Sequence, residues 1–359
     1  QPHLPDAIEL THGDWRAGGT LRRVWVDQWR RNPEKNVIHD PKQGWASGET
    51  LSSRSETVAR RLAHAGVLPG ERVLLSASSS LELVVAHVAA LRLGAVVIPT
   101  NGAYRAEEVA HVVSDARPRV AIVEQPEWRE WIQATNPDVI LAGPSVELDD
   151  GPTCPLDRVE TNSPALIGYT SGTTARPKGA VLTHGNLLSS VRGLEIAWRW
   201  TSSDTLILAL PLFHMHGLGV GLHGSLTVGG RAVLLPEFTA EEVLDSIKEF
   251  EATMFFGVPT MYSRLLNSEK VNQLGDLRLC VSGSAPLSAE VHRKIHDAAG
   301  QHILERYGMT ETAMLVSNPY VGERRPNSVG FPLPGVEVRI EGNPPEIQVK
   351  GPNVFNGYW

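Results

Sequence analysis

From residue 50 onwards, segments with a helical spacing of apolar residues alternate with apolar runs of strand length. The helical spacing predicts helices over residues 50–66, 80–94, 105–116, 240–251 and 289–300. The apolar runs predict strands over residues 71–77, 95–99, 119–124, 205–212, 231–236, 253–259 and 277–285. Such alternation through short loops is typical of parallel strands joined by right-handed crossovers. The pattern therefore predicts an α/β fold.

Three segments depart from this alternation. Residues 20–31 have the spacing of a short amphipathic helix, with Thr20 as its N-cap. The acidic, proline-rich stretch 137–164 is interpreted as a surface connection. Beyond residue 325, glycine and proline punctuation with period-two alternation predicts a small antiparallel or barrel-like unit. We expect three approximate subdomains, namely residues 1–165, 166–324 and 325–359.

Composition excludes several classes of protein. The 359 residues are 42% apolar and 20% charged, as in ordinary globular proteins. A net charge of -7 argues against a general nucleic-acid binder. The longest apolar stretch, 83–99, is interrupted by His87 and Arg92 and is too short to cross a membrane. Two cysteines, Cys154 and Cys280, favour a reducing compartment, for which the cytoplasm and an organelle matrix are equally allowed.

The segment 169–179, YTSGTTARPKG, concentrates groups that suit phosphate binding. Exposed backbone N–H groups in such a loop can surround phosphate oxygens, and Lys178 adds a positive charge. The segment differs from a Walker motif, because Lys178 precedes Gly179 and Ala180 follows. Richness in serine, threonine and glycine alone would indicate a polar surface turn. The complete string favours a phosphate-binding loop.

This string resembles the phosphate-binding loop of the adenylate-forming enzymes, which include acyl-CoA synthetases, amino-acid adenylation domains and firefly luciferase. Further segments resemble motifs of that family and follow in its order: LRLGAVVIPTN, PLFHMHG, SGSAPL, RYGMTET and VKGPNVFNGYW. Several ordered matches over about residues 20–359 are more specific than one motif. The resemblance implies the large N-terminal domain of that family, with two parallel-type α/β subdomains and a small, distorted β-barrel-like subdomain.

The resemblance also implies residue roles. Tyr307 would stack on adenine, Thr310 would hold the α-phosphate, and Glu311 would ligate a Mg²⁺ ion that bridges the phosphates. His214 would border the acyl-carboxylate site, so Lys178, His214, Thr310 and Glu311 form the implied catalytic set. The implied ATP-binding set is Thr170, Ser171, Gly172, Thr173, Thr174, Lys178, Gly283, Ser284, Ala285, Pro286, Tyr307, Gly308, Met309 and Thr310. ATP, Mg²⁺ and coenzyme A are the cofactors and co-substrates implied, with no nucleic-acid or membrane partner.

Within the family, the segment 305–312, ERYGMTET, most resembles malonyl-CoA synthetases. Many acyl-CoA synthetases lack a positive charge directly before the tyrosine, so Arg306 calls for an explanation. One interpretation is a salt bridge to Glu305, Glu311 or another nearby acid. The other is that Arg306 binds the second carboxylate of malonate or methylmalonate. In that case a polar pocket would be completed by His214, Ser282 and Ser284.

Three departures from the family pattern stand out. Ala175 occupies a position where the family often has glycine, which would cost about 1–2 kcal/mol if that position needs a positive φ. The chain between Ile340 and Glu346 is shorter than is usual in the family. The family's ribose-binding aspartate motif, its hinge and its small C-terminal domain with the catalytic lysine are expected to lie outside a chain that stops at Trp359.

Other functions remain open at this point. The main alternative is a ligase for a short- or medium-chain monocarboxylate, and another is a non-catalytic nucleotide-binding domain. Amino-acid activation is disfavoured, because His214 stands where that branch commonly places an aspartate. The histidines His214, His216 and His223 could indicate zinc, but no cysteine or carboxylate stands near them in the sequence.

Overall fold

A computed structural model describes residues 2–3, 19–170 and 176–359 of the chain. The helices are α1 (Leu21–Arg31), α2 (Gly48–His64), α3 (Leu81–Leu93), α4 (Ala106–Ala116), α5 (Pro126–Thr135), α6 (His184–Ala197), α7 (His223–Val228), α8 (Ala240–Glu249), α9 (Pro259–Leu265) and α10 (Ala289–Ala299). A π-helix, His216–Leu222, precedes α7, and a 3₁₀ helix, Val271–Asp276, follows α9.

The strands are β1 (Asn36–Asp40), β2 (Gly44–Ser47), β3 (Arg72–Ser76), β4 (Val96–Pro99), β5 (Val120–Val123), β6 (Ile140–Ala142), β7 (Pro164–Thr170), β8 (Lys178–Thr183), β9 (Thr205–Leu208), β10 (Arg231–Leu234), β11 (Met254–Gly257), β12 (Leu279–Ser282), β13 (Leu304–Met309), β14 (Ala313–Ser317), β15 (Phe331–Pro332), β16 (Glu337–Glu341) and β17 (Glu346–Lys350). All of the strands predicted from apolar runs are present. The β1–β2 hairpin, strands β6, β7, β8, β13 and β14, and helices α5, α6, α7 and α9 were not predicted.

Two largely parallel sheets organise the molecule, which confirms the predicted α/β class. The first sheet has six strands in the order β6-β5-β3-β4-β7-β8, and β8 alone pairs antiparallel with its neighbour. The second sheet has nine strands in the order β15-β14-β13-β12-β11-β9-β10-β1-β2. The run from β13 to β1 is parallel, whereas β2, β14 and β15 pair antiparallel.

Alternation along the strands divides the core into layers. In β3, Val73 and Leu75 join the large cluster shared by both sheets, whereas Leu74 faces the outer helices α4 and α5. In β9, Leu206 faces the shared cluster and Ile207 faces the outer helices α8, α9 and α10. Helices α1, α2, α3, α6 and α7 lie between the sheets. The layers therefore run helix, sheet, helix, sheet, helix.

Helix α3 illustrates how local sequence sets the element boundaries. Ser80 caps its first turn by accepting a hydrogen bond from the Leu83 N–H at 3.3 Å. Gly94 ends it with φ of +91°, in the left-handed region that the predicted glycine stop requires. The helix is strongly apolar because it is buried between the sheets. No helix in the described ranges is long and apolar enough to cross a membrane.

Beyond residue 325 the antiparallel alternative is confirmed. Strand β15 pairs antiparallel in the second sheet, and β16 and β17 form an open antiparallel hairpin, so the described strands there close no barrel. The expected boundary between residues 165 and 166 falls inside β7, which belongs to the first sheet. The stretch 137–164 contributes β6 to that sheet and is more than a surface connection.

Candidate active site

A cleft of about 330 Å³ opens at the carboxyl ends of the parallel strands of the second sheet. The carboxyl end of β12, strand β13 and the loop after β9 contribute to it, and β7 of the first sheet adds Thr170. Crevices at this edge are the usual ligand sites of open α/β sheets. The residues that line it are Thr170, His214, Met215, His216, Ser284, Arg306, Gly308, Met309, Thr310, Glu311 and Met314. The fold thus brings together predicted residues from four separate segments.

Arg306 places a buried positive charge in this cleft, which is unusual for an arginine. Its side chain is 4% exposed, and burial lowers its pKa to about 9. Its Nε and Nη2 atoms have no hydrogen-bond partner, and no acidic group of the described residues forms an ion pair with it. The alternative interpretation of Arg306, a salt bridge to Glu305, Glu311 or another nearby acid, is therefore not met among these residues. A buried guanidinium without a partner is costly, so the cleft favours an anionic ligand.

Two histidines lie close to this guanidinium. His214 is exposed at the cleft, and partial enclosure together with the Arg306 charge lowers its pKa. His216 is 1% exposed, and burial, Arg306 and His214 hold its pKa well below the usual value. Neither ring nitrogen of His216 has a hydrogen-bond partner among the described residues. Both shifts favour the neutral form of the ring. No group of three or more His, Cys, Asp or Glu side chains placed to hold a metal ion occurs in the described part of the chain.

The lack of a side chain at Gly283 makes room for the guanidinium of Arg306. A Cβ atom at Gly283 would lie 2.3 Å from the Arg306 Cζ atom, so any side chain there would displace the guanidinium. The next residue, Ser284, has φ of +69°, a conformation that is uncommon for serine. Ser282 is different, because it is fully buried and does not line the cleft. Alternation along β12 puts Ser282 on the face of Cys280, in the outer cluster.

The residues predicted to contact the nucleotide lie around the rim. Tyr307 is 41% exposed, and Ala285 and Pro286 are also exposed at the neighbouring strand end. Thr310 packs against β7 so closely that a Cβ atom at Gly168 would lie 2.4 Å from its Cγ2 atom. This contact holds the turn after β13 against the first sheet.

The phosphate loop itself is described only at its base. Residues 171–175, which include the predicted Ser171, Gly172, Thr173 and Thr174 as well as Ala175, lie outside the described residues. Thr170 pairs directly with Lys178 where β7 and β8 begin to diverge. The Lys178 ammonium lies 5.4 Å from the ring centroid of Tyr358. Lys178 and Thr170 therefore flank the predicted loop.

Two residues at or beside this cleft were not predicted in these roles. His216 lines the cleft, whereas the sequence indicated it only as a possible zinc ligand, two residues after His214 in the PLFHMHG segment. Tyr358 donates a hydrogen bond from its hydroxyl to Glu311 Oε1 at 3.0 Å. Glu311 and Tyr358 are 47 positions apart in the sequence, and no local pattern indicated that contact.

An open α/β protein with a ligand cleft at the carboxyl ends of its parallel strands is the class that this fold and cleft define. The family model for "AMP-binding enzyme" matches residues 25–359, and the chain belongs to that family. Its fold matches that of the N-terminal domain of adenylate-forming enzymes.

Three relatives and solved structures illustrate the similarity. The chain is 35% identical to the mitochondrial malonate–CoA ligase of Mus musculus, over 89% of this chain and 64% of the mouse protein. It is 33% identical to an oxalate–CoA ligase of Arabidopsis thaliana, over 94% and 72% respectively. The crystal structure of ATP-bound MatB from Rhodopseudomonas palustris superposes with a TM-score of 0.86 and 36% identity, over 94% and 72%. The chain thus spans less than two thirds of the length of the mouse relative.

Proposed function

We propose that this chain binds ATP and a short dicarboxylate, foremost malonate, and serves AMP-forming ligation of that acid to coenzyme A. The observation that carries the proposal is Arg306, a buried guanidinium in the cleft with no acidic partner among the described residues. A second carboxylate on the substrate would supply the missing negative charge. The similarity to malonate–CoA and oxalate–CoA ligases supports the same class of acid.

In the proposed reaction, an oxygen of the substrate's other carboxylate bonds to the α-phosphorus of ATP, and the bond from that phosphorus to the bridging oxygen breaks. Pyrophosphate leaves, and the thiol sulfur of coenzyme A then attacks the acyl carbon and displaces AMP. Two anions must approach each other in the first step, so positioning and charge neutralisation supply most of the catalysis. Thr310 and Lys178 would hold the phosphates, and neutral His214 and His216 would contact the acid without competing with Arg306.

Glu311 would hold a magnesium ion together with the phosphates. Its Oε1 atom accepts a hydrogen bond from the Tyr358 hydroxyl at 3.0 Å, and no hydrogen bond to its other oxygen is formed within the described ranges. One carboxylate oxygen fits Mg²⁺, which usually takes one or two protein carboxylates together with substrate phosphates and water. When bound, the ion would neutralise phosphate charge and favour the departure of pyrophosphate.

The acid preference can be measured directly by binding. Titration calorimetry on the AMP-saturated chain is expected to give malonate at least about 100-fold tighter binding than propionate, because only malonate pairs with the buried guanidinium. The affinities for oxalate and succinate then show which chain length of acid binds best, and the affinity for methylmalonate shows whether a methyl branch is accepted. Equal affinities for malonate and propionate would favour a monocarboxylate ligase. Nucleotide binding without any acid binding would favour a non-catalytic domain.

Lys178 provides a test of the phosphate site. Replacement by alanine is expected to weaken ATP binding about 10–100-fold and to leave AMP binding nearly unchanged, because a charge-assisted hydrogen bond to the outer phosphates is lost. Titration calorimetry with both nucleotides checks this. Lys294→Ala is the matched control, since Lys294 is an exposed lysine paired with Glu290 on α10. Equal losses for ATP and AMP would place Lys178 away from the outer phosphates.

A further inference from the structure

The segment 356–359 covers the open edge of the first sheet beside the phosphate loop. Tyr358 forms an antiparallel bridge with Ala180 of β8. Backbone hydrogen bonds of 3.1 and 2.7 Å join the flanking Gly357 and Trp359 to the same strand. Because β8 is the last strand of its sheet, this docking satisfies edge groups and fixes Tyr358 beside the base of the loop.

The side chain of Tyr358 contacts both charged residues that the proposed function assigns to the phosphates. Its hydroxyl donates to Glu311 Oε1 at 3.0 Å. The Lys178 ammonium lies 5.4 Å from its ring centroid. Phe355 supports the arrangement, because its ring meets the Tyr358 ring edge-on at 4.9 Å and its N–H donates to the Glu311 carbonyl oxygen at 2.8 Å.

Lys178 and Glu311 form no ion pair with each other in the described part of the chain. Each instead contacts Tyr358, an aromatic group that carries no charge. If the two charges paired directly, each would be partly neutralised before ATP or its metal arrived, and phosphate binding would first have to separate them. The phenol therefore gives both groups a partner that leaves their charges available.

From this geometry we infer that Tyr358 is a positioning residue for the metal and phosphate site, an inference that rests on the proposed function. The hydroxyl fixes one oxygen of Glu311 and leaves the other to ligate the ion. Partners that orient a metal ligand in this way typically change metal affinity 10–100-fold when they are removed. The ring restrains Lys178 separately, so the hydroxyl and the ring contribute to different steps of nucleotide binding.

Two substitutions separate these contributions. Tyr358→Phe removes the hydroxyl and keeps the ring. The ratio of ATP affinity in Mg²⁺ to ATP affinity in EDTA is expected to fall about tenfold in this variant. Its ATP affinity in EDTA and its AMP affinity are expected to stay unchanged. Tyr358→Leu removes both and is expected to weaken ATP binding in EDTA by about threefold as well. Titration calorimetry with ATP in excess Mg²⁺ and in EDTA measures both effects without requiring turnover.

Trp359→Phe is the matched control, because Trp359 lies on the same docked segment and contacts Asp115 and Arg72 instead of Glu311. It is expected to behave as the unmodified chain. A Tyr358→Phe variant that keeps the full Mg²⁺ gain would overturn the inference and leave the proposed function standing. An equal loss of Mg²⁺ gain in Trp359→Phe would also overturn it, since the segment would then act only as structure. An unmodified chain whose ATP binding ignores Mg²⁺ would overturn both proposals.

Discussion

Replacement of Arg306 by leucine is expected to lower malonate affinity by at least about two to four orders of magnitude, with ATP affinity unchanged. The guanidinium would make two charge-assisted hydrogen bonds to the distal carboxylate, and each such bond contributes about 1.5–3 kcal/mol. The leucine variant would in addition place an apolar group against that carboxylate. Titration calorimetry with malonate, butyrate and ATP measures the three affinities, and butyrate is expected to gain relative to malonate.

The same substitution has an expected effect on stability in the opposite direction. Arg306 is a buried charge without a partner among the described residues, and its removal without a ligand relieves the cost of desolvation. Arg306→Leu is therefore expected to raise Tm in the absence of ligand. In domains of 150–250 residues, each 1 kcal/mol of added stability raises Tm by about 2–4 °C. Arg325→Leu is the control, because Arg325 is exposed and paired with Glu323.

The acid preference of the Arg306→Leu variant tests the proposed substrate. If this variant still prefers malonate to butyrate, the proposal falls back to a generic short-chain acyl-CoA synthetase.

Acidification is expected to destabilise the protein steeply between pH 6.5 and pH 3. His87 and His184 are buried between the sheets, and burial lowers the pKa of each from 6.5 to about 3. In this range the unfolded chain binds protons that the native state excludes, so stability falls as pH falls. Each group costs about 1.4 kcal/mol per pH unit below 6.5. At pH 5 the two together cost about 4 kcal/mol, a large part of the 5–15 kcal/mol typical of a native protein.

Urea unfolding at pH 7 and pH 5 measures this loss. His184→Leu is expected to recover about 2 kcal/mol of it at pH 5. Neither ring nitrogen of His184 has a hydrogen-bond partner among the described residues, so the substitution breaks no bond there. His64→Gln on the exposed surface serves as control. An unchanged difference between the two pH values in His184→Leu would show that His184 does not drive the acid sensitivity.

The sequence predicted the parts of the fold whose information is local. Apolar runs located β3, β4 and β5 because a buried parallel strand needs apolar residues on both faces. The β1–β2 hairpin was missed because its strands, NVIHD and GWAS, are short and mix polar with apolar residues, so neither forms an apolar run. The 137–164 connection was underestimated because its contacts are distant in sequence. Asp157 in that connection pairs with the buried Arg22 and Arg92 at 3.3 Å each, and such contacts leave no periodic signal.

The residues of the candidate site were predicted from sequence motifs. The contacts that were not predicted depend on side-chain alternation along a strand and on pairing between distant segments. Residues 304–309 form a strand, so Glu305 and Arg306 point to opposite faces and cannot pair. Recognition of β13 as a strand would have excluded that salt bridge from sequence alone. The contact between Tyr358 and Glu311 depends on a bridge between Tyr358 and Ala180, which only the folded chain reveals.

The place of β1 in the second sheet also has a consequence for the order in which the chain folds during synthesis. Ile38 of β1 pairs with Ala232 of β10, about 190 residues later in the chain. At 5–20 residues per second, the ribosome needs about 10–40 s to deliver that partner. All six strands of the first sheet are made in this interval and can pair with one another. Strand β1, the first of the described strands to leave the ribosome, is thus among the last to be fully paired, and its hairpin with β2 must resist aggregation during this interval.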